Sequence, residues 1–204
     1  MQARAATISW GSPVLSDTVD STGVALDSSY KVELGAFANG FVPTTQNMGQ
    51  WADNWRTFSV GSFNSELGYF AGSADLLAGG ASSDPLADLG MNFSDVEAYV
   101  WIFNFTTLSA NTEWFLGRSD SWVMPTAPLE DDCCDPTLPT QWSISDMATG
   151  DTPVVGAQGP VAGGGSAENP GSHAIQTYAV PEASTFLLTA CGMLVAFRRR
   201  RPVV

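Results

Sequence analysis

Ala98-Tyr-Val-Trp-Ile-Phe-Asn-Phe105 decides the fold of this chain. Tyr99, Trp101, Phe103 and Phe105 fall on one face of an extended strand, and Ala98, Val100 and Ile102 on the other. A strand apolar on both faces needs cover on both sides, which places it inside a sheet rather than at a solvated surface. Thr112 to Arg118 follows at hairpin distance, with Asn111 as a turn residue and Thr112, Trp114 and Leu116 on one face. Upstream, Tyr30 to Phe37 alternates with period two: Tyr30, Val32, Leu34 and Ala36 against Lys31, Glu33 and Gly35.

Working outward, Thr7 to Trp10, Arg56 to Val60, Leu67 to Ala71, Leu76 to Ala78, Trp122 to Met124, Gln141 to Ser145 and Ala174 to Ala179 read as further short strands. Asn47 to Trp55 reads as one or two helical turns, with Trp51 and Trp55 four apart and on one face. Twenty glycines and 12 prolines punctuate these patches. Gly150 to Ser172 is a long glycine- and proline-rich loop, and no repeat period is evident. The expectation is an all-β body over 6–179, an antiparallel β-sandwich or jelly-roll of about eight short strands, followed by a C-terminal hydrophobic helix. Antiparallel pairing is expected because no helix long enough for a crossover separates the strands.

The C-terminus has a different character. Val180-Pro-Glu-Ala-Ser-Thr185 precedes an apolar run from Phe186 to Phe197, and Arg198, Arg199, Arg200 and Arg201 follow at once. Those twelve apolar-run residues make a helix of about 18 Å, short for a bilayer core of ~30 Å. Such a run also suits a buried core helix or a signal-like segment, and the arginines decide. Four guanidinium groups cannot follow the run into a protein core unpaired, but they snorkel to an anionic lipid surface at roughly 1 kcal/mol each. Basic residues beside an apolar segment stay cytoplasmic, so the tail is expected inside and residues 1–179 outside the cytoplasm.

Charge agrees with that division. All 21 acidic residues precede Ala183, and four of the eight basic ones are Arg198 to Arg201. The body therefore opposes four basic residues to 21 acidic ones, a balance that repels nucleic acid and anionic lipid. Export needs a leader. Met1 to Ala6 has no apolar region, but Ala3-Arg4-Ala5 has the small-x-small form that ends a signal peptide, so residues 1–5 are read as a remnant with a hydrophobic segment upstream.

VPEAST, a short apolar helix over 184–197 and the basic tail 198–201 together resemble the PEP-CTERM sorting signal of Gram-negative bacteria. Val180, Pro181, Glu182, Ser184 and Thr185 match its head, while Ala183 stands where the signal usually has a second proline. The resemblance covers residues 180–201. It implies export, an inner-membrane intermediate, processing by an exosortase-type enzyme, and a final place at the cell surface or in an extracellular matrix among exopolysaccharides. It says nothing of what the body does.

Within the body the candidate chemistry is sparse. His173 is the single histidine; no nucleophile-elbow pattern accompanies any serine, and one imidazole does not build a histidine zinc site. Glu130-Asp-Asp-Cys-Cys-Asp135 offers hard oxygen ligands for Ca²⁺ but lacks the spaced form of a dedicated calcium loop, so a solvated acidic turn is the plainer reading and no metal is expected. Cys133 and Cys134 are adjacent, and Cys191 lies in the apolar run, which is not a disulfide scaffold. Glu97 and Glu113 flank the central hairpin and are the carboxylates to examine for glycoside hydrolysis. Seven tryptophans allow sugar stacking; Trp51, Trp55 and Trp122 lie near turns and are the ones expected to be exposed. The chain is thus read as an exported structural protein and not an enzyme, with an exopolysaccharide-binding module as the alternative and a surface glycoside hydrolase behind it.

Overall fold

The structure is a computed structural model that describes residues 5–14, 17–38, 40–127, 139–147, 153–159 and 175–180. Its strands are β1 (Ala5–Gly11), β2 (Thr18–Val19), β3 (Lys31–Phe37), β4 (Trp55–Asn64), β5 (Tyr69–Leu77), β6 (Tyr99–Phe103), β7 (Glu113–Gly117), β8 (Thr140–Ser143), β9 (Ala157–Gln158), β10 (Ile175–Gln176) and β11 (Tyr178–Ala179). A 3-10 turn at Met48–Gln50 runs into a single-turn helix, α1 (Trp51–Asn54). The fold is all-β with little helix, as the alternation predicts. Among the described residues no helix is long and apolar enough to cross a membrane.

Eight strands form one sheet in the order β11-β7-β6-β3-β4-β5-β1-β8, and β2-β10-β9 form a second, small one. β6 lies between β3 and β7 with all five residues buried. Its two faces feed two cores. Val100 and Ile102 join Val32, Leu34, Phe115 and Ile8 in one cluster. Tyr99, Trp101 and Phe103 join Phe37, Trp51 and Trp114 in the other. The large sheet curls round the first core. Five strands lie between β7 and β8 in the sheet, yet the segments that follow them meet. Trp122 Nε1 donates to Asp146 Oδ2 at 3.1 Å, Ser119 Oγ to the Asp146 carbonyl at 3.0 Å, and the Trp122 and Trp142 rings stack at 6.2 Å.

Residues 40–54 cover the second core. The chain leaves the sheet at Phe37 and returns at Trp55, and Trp51 stacks on Trp114 on the way (5.3 Å, 19° between planes). Trp55 lies against β3 at Gly35, where a Cβ would stand 2.7 Å from the indole ring and 2.3 Å from the Arg56 carbonyl oxygen, so only glycine fits. A bulge at Leu34/Gly35 accommodates the approach. β4 pairs with β5 only from Ser62 onward. Upstream, loop 81–88 substitutes for a strand: the N–H groups of Thr57 and Val60 donate to Asp88 Oδ2 (2.7 Å) and Asp84 Oδ2 (2.8 Å). Side chains thereby satisfy backbone donors that the ladder leaves unpaired.

Two expectations need correction. Pairing is not wholly antiparallel, since β1 and β8 are parallel, as are β2 and β10. A parallel pair needs a long connection and not a helix as such; the chain between Gly11 and Thr140 is amply long. The described strands also form one curled mixed sheet beside a small one, because the curl encloses the core that a second facing sheet would cover.

Candidate functional site at the C-terminal edge

The most connected polar side chain beside the body's C-terminus is Glu113, the first residue of β7. Its Oε2 accepts from the Ser21 N–H at 2.9 Å, from Thr177 Oγ1 at 2.6 Å and from the Tyr30 hydroxyl at 3.3 Å. Its Oε1 accepts from Ser21 Oγ at 2.5 Å. One half-buried carboxylate thus ties together the turn after β2, the start of β3 and the link between β10 and β11. Charge-assisted bonds of this kind are shorter and stronger than neutral ones. Burial and then the neighbouring Glu113 charge push the Tyr30 phenol well above its ordinary range.

The turn that delivers Ser21 is itself held by a carboxylate. Asp20 Oδ1 accepts from the Thr22 N–H (2.8 Å), Thr22 Oγ1 (2.7 Å) and the Val24 N–H (3.0 Å). Partial burial raises the Asp20 pKa, but these bonds outweigh it and hold the group below its usual value. Gln176 Nε2 donates to the carbonyl of Asp20 at 3.2 Å, so β10 grips the same turn. Asp20-Ser-Thr-Gly23 is legible as a turn sequence; that its serine would meet a glutamate 92 residues away is not.

β11 pairs antiparallel with β7, Tyr178 opposite Trp114 and Ala179 opposite Glu113. Val180 then donates its N–H to the Thr112 carbonyl at 2.8 Å and buries its side chain, 3% exposed, in the aromatic core. Val180 is therefore both the first residue of the VPEAST stretch and an anchored residue of the body. Pro181, Glu182, Ala183, Ser184 and Thr185 and the arginines 198–201 lie outside the described residues. So do His173, the 130–135 acidic turn with Cys133 and Cys134, and Cys191. Of the segment read as a leader remnant, Ala5 is described, and it opens β1 opposite Leu77.

The tryptophans expected outside are inside. Trp51 is 0%, Trp55 5% and Trp122 1% exposed, and none offers a face for a sugar. Nearness to a turn misleads here because the excursion between Phe37 and Trp55 folds back across the sheet over Trp51 and Trp55, while Trp122 packs on Trp142 in the other core. Trp51 Nε1 donates to Asn47 Oδ1 (2.9 Å) and Trp55 Nε1 to Glu33 Oε2 (2.9 Å), so their polar edges are satisfied within the protein. The remaining four tryptophans are buried as well.

Glu97 and Glu113 do not form a catalytic pair. Glu113 lies opposite Asn104 by the register that sets Phe103 against Trp114, whereas Glu97 precedes β6 at its other end. Seven residues of extended chain separate those ends, roughly 20 Å at ~3.3 Å per residue. Glycoside hydrolysis places its two carboxyls about 5–10 Å apart. Glu97 instead binds Arg118 at 2.8 Å on the surface. Among the described residues no group of three or more His, Cys, Asp or Glu is placed to hold a metal ion. Compared with known proteins, the chain matches no family model, no curated protein and no solved structure.

Proposed function

We propose that this chain is an exported structural protein whose C-terminal tail holds it in the membrane for a sorting enzyme of exosortase type. The reading rests on the order VPEAST, apolar run, four arginines. The geometric observation that supports it is the position of Val180, sewn into the sheet edge one residue before Pro181-Glu182. The body is thereby pinned up to the first position of the motif, and a sorting enzyme that reads Pro181-Glu182 meets a fixed starting point. The apolar run stops transfer because the arginines refuse to cross, and its short length leaves it weakly held. The mature body then resides at the cell surface or in the extracellular matrix, where its acidic surface keeps it soluble. No catalytic role is assigned to it.

Deletion of Arg198 to Arg201 tests the mechanism. In a host with an exosortase, the full chain is expected as a membrane-bound precursor and a shorter surface form, resolved by fractionation and C-terminal mass spectrometry. The deleted chain should lose its orientation or pass through uncleaved. Unchanged localisation and processing would reject the proposal.

A further inference from the structure

Among the described residues, the face over the aromatic core is poor in charge, and it lies beside Val180. Residues 36–52, 98–112 and 175–180 contain no Asp, Glu, Lys or Arg, in a chain with 21 acidic residues. The fold brings these three stretches together over the aromatic core. Leu108 Cδ1 lies 3.6 Å from where a Cβ on Gly49 would stand, joining the 40–54 excursion to the loop after β6. Trp114 Nε1 donates to the Phe105 carbonyl at 2.6 Å, and Tyr178 is the register partner of Trp114. The outward side carries large apolar groups: Val42 is 69%, Phe105 54% and Tyr178 44% exposed. Lys31, exposed and paired with Phe103, borders it. Exposed Asp53 of α1 borders it as well, while Glu97 and Asp120 lie beyond the opposite end of β6.

We infer that this face rests on the bilayer that holds the tail, with Phe105, Tyr178 and Val42 entering the interfacial layer. The inference stands on the membrane reading proposed above and adds to it an orientation for the body. Chain length favours lipid as the occupant. Six residue steps separate Val180 from Phe186, at most about 20 Å of extended chain at ~3.5 Å per residue. An inserted apolar run therefore keeps the Val180 edge close to the lipid surface. Charge decides which side turns toward it. Acidic surface is repelled by anionic headgroups, whereas uncharged surface bearing aromatic rings is favoured at the interface.

The test uses the full-length chain with Cys133, Cys134 and Cys191 replaced by Ser. A polarity-sensitive fluorophore is placed at F105C, at Y178C, or at V123C, whose backbone bridges Glu97 on the charged side. Each chain is reconstituted into phosphatidylcholine–phosphatidylglycerol vesicles with or without a headgroup nitroxide lipid, and its thermal midpoint is first matched to that of the unlabelled chain. Fluorescence should fall with nitroxide at 105 and 178 and hold at 123. Flotation with the vesicles but no quenching at 105 and 178 would overturn this inference and leave the membrane tail standing; equal quenching at all three positions would also overturn it. Failure to float at all would sink the membrane reading itself. A concentration-dependent blue shift at 105 and 178 without vesicles would give the face to a second copy of the chain and reject lipid.

Discussion

Glu113 concentrates several structural roles in one side chain. Four donors from three segments converge on its carboxylate, and Ser21 supplies two of them. Net contributions of hydrogen bonds to a charged group run about 1.5–3 kcal/mol. Glu113→Gln keeps the shape but turns an NH₂ toward donors, and it is expected to cost about 2 kcal/mol, a fall of roughly 4–8 °C in Tm for a domain of this size. The same change bears on Tyr30. Its raised pKa means that the neutral phenol is favoured in the folded state, so this stabilisation is complete below the unfolded phenol value of ~10 and is lost as pH rises toward the folded one. Burial alone should keep Tyr30 high in the Gln variant, but lower than in the parent, because the carboxylate charge has gone. Absorbance titration of the phenols, with Tyr30→Phe to assign the step, measures this. An unchanged midpoint together with an unchanged titration would show that Glu113 does not tie the segments.

Between elements, the fold depends on indole rings lying flat where a neighbouring strand has no side chain. Trp10 of β1 covers Gly72 of β5, where a Cβ would stand 2.6 Å from the ring. Gly72→Ala is expected to destabilise by about 1–3 kcal/mol through overpacking. In a Trp10→Leu background the same change should cost about 1 kcal/mol less, a coupling read from the denaturant midpoints of the four chains; additive costs would refute the contact. Such packing was partly legible. Period two in Tyr30 to Phe37 and two-sided apolarity in Ala98 to Phe105 announce β3 and β6, because alternation is local. The helical reading of Asn47 to Trp55 announces the turn at α1, but Trp55 itself is extended and opens β4, and it joins Trp51 only in the aromatic core. What the sequence hides is non-local. β2 and β9 are two residues long and carry no period. The parallel union of β1 with β8 joins segments more than a hundred residues apart. The burial of Trp51 and Trp55 depends on an excursion that doubles back, and that of Trp122 on the meeting of two distant segments where the sheet curls closed. Glu113 is visible as an acid beside a hairpin, but its donors come from distant turns.

For the molecule as a whole, the C-terminal strands act as a clasp. β10 joins the turn after β2 to β9, Thr177 reaches Glu113, β11 extends the large sheet, and Val180 enters the aromatic core. Ile175 is 0% and Val180 3% exposed. Burying each contributes about 1.5–3 kcal/mol, and the Thr177 bond to a carboxylate adds about 1.5–3. The clasp therefore carries about 4.5–9 kcal/mol, comparable with the whole stability of a marginal domain, about 5–15 kcal/mol. Chains ending at residue 180 and at residue 174 separate the contributions of tail and clasp. The first should melt with the full-length body, because it keeps every described contact. The second leaves Glu113 without Thr177 and opens the edge of β7, so it should lose most of its cooperative transition or unfold many degrees lower. Circular dichroism melts of the two, with amide exchange at Thr112 and Leu116 as a local readout, decide the matter. Equal melting would mean that the last strands merely decorate the sheet, and the fixed starting point for the sorting motif would go with them.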